Sequence, residues 1–184
     1  MLSSQVACVN HLYLLRQRPD LAKAVLRAID PDIVEAAIVD DGYVEFEFIG
    51  ARQYMAERAF TKGANCTSVD AFMIGRTTHG RRRAFLVEWK YIEAYRRQDK
   101  YIPRRARVYD DLIMAEDSPF KPPGRSGTRD QIEPHALYFE PFYQLMRQTL
   151  LGWLISKYEV RLIATYMSCP SRTPSSTGTS PRRC

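Results

Sequence analysis

Residues Thr67 to Glu93 read TSVDAFMIGRTTHGRRRAFLVEWKYIE, two apolar runs on either side of a turn-forming segment. That pattern predicts a β-hairpin. Side chains alternate along a strand, so Glu88 and Lys90 share a face with Leu86, while Phe85, Val87 and Trp89 take the other. On the first strand Asp70 shares a face with Phe72 and Ile74. A pairing that brings Asp70 near Glu88 gathers two carboxylates and one ammonium at a point. An unpaired ion inside an apolar strand is costly, on the order of several kcal/mol. A Glu88–Lys90 ion pair answers part of that cost. It leaves one negative charge in excess, which a divalent cation would neutralise.

Upstream of the hairpin, Val6, Val9, Leu12 and Tyr13, then Leu21, Val25 and Leu26, recur at helical spacing. They predict helix from Ser3 or Ser4 to about Ala28, divided at Pro19-Asp20. Asp30-Pro31 is read as opening a further short helix through Ile33 and Val34, ending near Asp40-Asp41-Gly42. Tyr43 to Ile49 alternates apolar and acidic residues, a strand with Val44, Phe46 and Phe48 on one face and Glu45 and Glu47 on the other. The two glutamates suit a solvated strand face, or an approach of one of them to Asp70. Tyr54 to Ala59 is left open between a short helix and a loop.

Downstream, Arg81, Arg82 and Arg83 fall at the turn end of the hairpin, as a charged tip or a phosphate contact. His79 beside them reads as a turn residue. Arg96, Arg97, Lys100, Arg104 and Arg105 interleave with Tyr95, Tyr101 and Tyr109, a composition suited to a phosphate backbone and stacked bases, or to a basic connector. Ser118 to Gly127 is a Pro/Gly loop. Pro141 precedes a helix through Ile155 with an apolar stripe of Phe142, Met146, Leu150 and Trp153, and a polar stripe of Glu140, Gln144 and Gln148. Tyr158 to Met167 predicts a last strand. The Ser/Thr/Pro/Arg-rich tail is expected to be disordered.

The chain of 184 residues suits one domain with a real core. A net charge of +6 favours a polyanionic partner, although such a surplus also occurs without one. Cys8, Cys66, Cys169 and Cys184 form no C-x-x-C pair and have no His at zinc-ligand spacing, so a zinc centre is not expected. The start lacks a basic leader pattern and no long apolar run follows, so the expectation is a cytoplasmic protein with reduced thiols and no membrane span.

Asp70 and Glu88 are hard oxygen ligands of the kind Mg2+ takes alongside water and phosphate oxygens. Lys90 could orient the attacking water or offset phosphate charge. Asp70 with Glu88-Trp89-Lys90 on a hairpin, followed by a helix and a last strand, resembles the PD-(D/E)xK nuclease superfamily. The strings NCTSVDA at 65–71 and VEWKYIE at 87–93, with YQLMRQ at 143–148, resemble its bacterial restriction-endonuclease-like branch. Val69 stands where the signature's name has proline.

The resemblance implies an α/β fold, a restriction-endonuclease-like core with a central mixed β-sheet flanked by helices. It implies one domain over residues 1–168, with an insertion at about 95–133 and a tail at 169–184. It further implies hydrolysis of DNA phosphodiester bonds with Mg2+, or Mn2+ in its place. Asp70 and Glu88 would be metal ligands, Lys90 the catalytic lysine, Glu47 the additional acid with Glu45 as the spare, and Gln144 the polar residue of the following helix. The expected partner is double-stranded DNA, and cutting both strands favours a homodimer. A structure-specific repair or recombination nuclease, and a non-catalytic nucleic-acid-binding protein of the same fold, stay open beside a restriction or defence endonuclease.

Overall fold

The computed structural model describes residues 4–63, 65–90, 98–120, 133–158 and 162–170, with Ser4, Lys90 and 162–170 by their backbone alone. Helices α1 (Ser4–Leu12) and α2 (Pro19–Ile29) precede strands β1 (Ile33–Ala37) and β2 (Glu45–Phe48). The hairpin follows as β3 (Val69–Thr77) and β4 (Arg82–Lys90), then α3 (Pro103–Met114), α4 (Phe142–Tyr158) and β5 (Leu162–Pro170). A 3-10 turn joins α1 to α2, and another covers Pro134–Tyr138.

The expected hairpin is the centre of the sheet. β3 and β4 pair antiparallel from Ala71↔Val87 to Arg76↔Arg82. Thr77 and Arg81 close the turn, where Gly80 takes φ +73°, a conformation glycine adopts without a Cβ penalty. β4 pairs parallel with β5, so the five described strands form a mixed sheet. β1 and β2 share the other edge of β3 end to end, β2 against its first half and β1 against its second.

Both faces of the hairpin are buried, which is why its sequence is apolar almost throughout. Phe72, Ile74, Ala84 and Leu86 pack with Tyr109 and Ile113 of α3 and with Met146, Leu150 and Leu154 of α4. Ala71, Met73, Phe85 and Val87 pack with Cys8 of α1, Leu15, and Ala22 and Leu26 of α2. The result is a helix–sheet–helix sandwich with the hairpin in its middle layer. The segment read as an insertion thus carries a helix that belongs to the core. Among the described residues no helix is long and apolar enough to cross a membrane.

Four expectations need correction. Ile33–Ala37 is a strand rather than a helix: the stretch is short for an independent helix, and β-branched Ile33 and Val34 suit an extended backbone. Ile33 is fully buried against Gly75, where a Cβ would stand 2.8 Å from Ile33 Cδ1. Gly75→Ala should therefore cost about 1–2 kcal/mol through overpacking, visible as a lower Tm.

The second correction concerns β2. Val44 and Phe46 join the α1/α2 side, but Phe48 crosses to the other and stacks on Phe72 at 3.9 Å. Glu47 between them sits at φ +48°, a left-handed backbone that turns the strand over. Third, the apolar stripe of α4 is rotated from the expected one. Tyr143, Met146, Leu150 and Leu154 are buried, whereas Phe142 is 55% exposed, because α3 and the sheet meet the helix from that side. Last, the helix runs on through Tyr158, and the final strand starts only at Leu162 and continues to Pro170. Tyr54–Ala59 is irregular rather than helical, and the tail at 171–184 lies outside the described residues.

Candidate active site

Asp70 is the second residue of β3 and is half-buried. Carrying the hairpin register one step beyond Ala71↔Val87 places it opposite Glu88. The Trp89 backbone N–H donates to Asp70 Oδ2 at 2.7 Å. Trp89 lies between Glu88 and Lys90, so Asp70 is tied to the middle of the E-x-K segment. On the reverse face the Trp89 ring meets His11 of α1, with ring centroids 4.9 Å apart.

Glu88 is 3% exposed. By alternation it follows Ala84 and Leu86 on the α4 side, and α4 supplies its partners. Gln144 Nε2 donates to Glu88 Oε1 at 2.5 Å, and Gln148 Nε2 donates to Glu88 Oε2 at 2.5 Å. Gln148 also donates to the Ser68 carbonyl at 3.2 Å, linking Glu88 of β4 to the residue just before β3. Two amide dipoles thus stabilise a carboxylate that burial penalises. Gln144 is where the resemblance placed a polar helix residue. Gln148, 2% exposed, belongs to the polar stripe expected on that helix, and that part of the stripe faces the hairpin rather than solvent. Its signal was the i, i+4 spacing, which sets both glutamines on one helix face.

Lys90 ends β4, and its side chain lies outside the described residues. The two β2 glutamates have partners of their own. Glu45 forms a salt bridge with Lys62 at 2.6 Å, and Gln5 of α1 donates to Glu47. β2 pairs Phe46 with Ala71 and Phe48 with Val69, so Glu47 is Asp70's neighbour by register on the other side. Among the described residues, no three His, Cys, Asp or Glu side chains gather closely enough to hold a metal ion. The described carboxylates at the centre are the pair Asp70 and Glu88.

The basic candidates separate by environment. Arg81, Arg82 and Arg104 are exposed. Arg83 is half-buried and paired with Asp30. Lys100 donates to Gln98, and Arg105 donates to the Lys100 carbonyl and lies over the Tyr143 ring. Arg96, Arg97 and Tyr95 lie outside the described residues. Tyr109, read as able to stack on bases, is 4% exposed and packed in the core.

A family model described as Restriction Endonuclease associating with ARP matches residues 1–176. No curated protein matches the chain, and no solved structure does.

Proposed function

We propose a function from one premise: this chain belongs to the Restriction Endonuclease associating with ARP family. It is an endonuclease that cuts DNA, and its reaction is metal-dependent phosphodiester hydrolysis of the PD-(D/E)xK kind. The observation that carries the finer reading is the pairing of Asp70 with the Glu88-Trp89-Lys90 segment, with Glu88 buried and held at both oxygens.

The donor set fits a hard divalent cation. Asp70 and Glu88 offer carboxylate oxygens on adjacent strands, and Mg2+ is commonly held by one or two carboxylates with water and phosphate completing its shell. Bound there, Mg2+ or Mn2+ would supply an acidified water and offset the charge gathering on the phosphate. The protein's own groups do the rest. Gln144 and Gln148 fix the Glu88 carboxylate in one orientation. The Trp89 N–H fixes Asp70. Lys90 offsets phosphate charge or orients the attacking water. Glu47, beside Asp70 by register, is the supplementary acid. Arg81, Arg82 and Arg104 contact phosphates away from the cut. Arg82 is six residues from Glu88, about 20 Å along the strand. Cutting both strands takes two copies of the chain.

The test is a plasmid-cleavage assay with the purified chain. With Mg2+ it should cut; with Ca2+ it should bind DNA in a gel-shift assay and leave it intact, because the larger ion relaxes the coordination geometry. Equal cutting with chelator and with Mg2+ would refute the metal-dependent mechanism.

A further inference from the structure

At the head of β3, just before Asp70, a second polar cluster is built from parts of the chain that are distant in sequence. Glu57 Oε2 accepts from the Thr67 backbone N–H at 2.8 Å. Glu57 Oε1 accepts from Thr67 Oγ1 at 2.7 Å and from the Tyr109 hydroxyl of α3 at 2.6 Å. Arg147 of α4 donates through Nε to Thr67 Oγ1 at 2.9 Å and through Nη2 to Glu57 at 3.4 Å. Its guanidinium lies over the Tyr143 ring, 5.3 Å from the centroid. Thr67, Tyr109 and Tyr143 are all buried, and the Glu57 and Arg147 side chains are 10% and 22% exposed. Burial, more than any other cause, raises the Tyr109 hydroxyl well above its ordinary pKa, so it stays a donor to Glu57.

Arg147 and Gln148 are consecutive on α4, and Thr67 and Ser68 are the two residues just before β3. Arg147 holds Thr67, and Gln148 holds Ser68 and Glu88. We infer that Glu57 and Arg147 are positioning residues. Together they lock α4 against the head of β3, and so set where Gln148 and Glu88 stand relative to Asp70. Nε and Nη2 of Arg147 are engaged by Thr67 and Glu57, which supports a positioning role over a phosphate contact. Lysine keeps the charge but cannot bridge both partners with a planar fork. The catalytic consequence rests on the nuclease reading; the positioning itself does not.

The experiment uses the full chain with Glu57→Gln, Arg147→Lys and Arg147→Met, each studied well below its Tm. The Gln148 side-chain amide is followed by NMR without DNA or metal, its resonances identified by their loss in Gln148→Leu. In Glu57→Gln and Arg147→Lys they should move toward the shifts of a solvent-exposed glutamine. Cleavage of bound DNA should slow by about 10–100-fold, the size usual for residues that orient a metal ligand, with DNA affinity unchanged. Unmoved Gln148 resonances in both variants would overturn the inference. So would a phosphate-contact pattern: Arg147→Met weakening DNA binding, Arg147→Lys restoring it, and bound DNA still cut at the parent rate. If Asp70→Ala leaves cleavage intact, the nuclease reading falls, and the NMR measurement still decides the positioning.

Discussion

Asp70→Ala should abolish Mg2+-dependent cleavage, lowering the rate by more than about 10³-fold, or ~4 kcal/mol of transition-state stabilisation. The fold should survive. Asp70 is half-buried, and the substitution removes the acceptor of the Trp89 N–H. Losing one such hydrogen bond costs about 1–3 kcal/mol, a modest part of the roughly 5–15 kcal/mol typical of a folded domain. Asp70→Asn tests the charge more narrowly, since its amide oxygen can still accept from Trp89. Lys90→Ala should give the same loss of cutting with DNA still bound. The measurements are single-turnover cleavage and DNA binding on the same preparations. Retained cleavage in Asp70→Ala would sink the mechanism. Lost cleavage together with a collapsed Tm would point to a structural role for Asp70 instead.

Gln148→Leu should be the most damaging substitution on α4 that preserves side-chain volume. Leucine suits a helix and fits the buried site. It removes the donor to Glu88 Oε2 and to the Ser68 carbonyl at once. Stripping a partner from the buried Glu88 carboxylate, together with the loss of the bond to the Ser68 carbonyl, should cost about 3 kcal/mol, a fall in Tm of roughly 6–12 °C for a chain of this length. Pairing it with Glu88→Leu should restore part of that loss, because apolar replacement of both partners removes the buried charge as well. Both variants should be inactive. Thermal and urea denaturation measure the first effect, and a Gln148→Leu stability within 0.5 kcal/mol of the parent, about the scatter of a neutral surface change, would refute the account of how Glu88 is held.

The hairpin and the parity of its faces were legible in the sequence because the strand period is two and both faces are buried. Asp70, Phe72 and Ile74 could be grouped on one face of the first strand, and Leu86 and Glu88 on one face of the second; the register of the hairpin then put both groups on the same side of the sheet. Ile33–Ala37 was not legible as a strand. Its five residues carry no decisive period, and what makes them extended is the edge of β3 and the space left by Gly75. The reversal at Glu47 was hidden for the same reason: Phe46 and Phe48 alternate perfectly on paper, and only two separate cores pull them to opposite sides.

The amino-acid sequence by itself determined the elements that carry local periodicity: the hairpin, the long helix of α4, and a polar stripe along that helix. It also put Asp70 at the start of one strand and Glu88 and Lys90 on a common face of the next, leaving the match between those faces to the register. Tertiary structure alone decided what those residues touch. Glu88 meets Gln144 and Gln148, Asp70 meets the Trp89 N–H, and Glu57 meets Thr67, Tyr109 and Arg147. Periodicity is a property of neighbours along the chain. The partners of a buried charge are chosen by packing between segments from 10 to 90 residues apart, where the cost of leaving it unanswered is high enough to specify the arrangement.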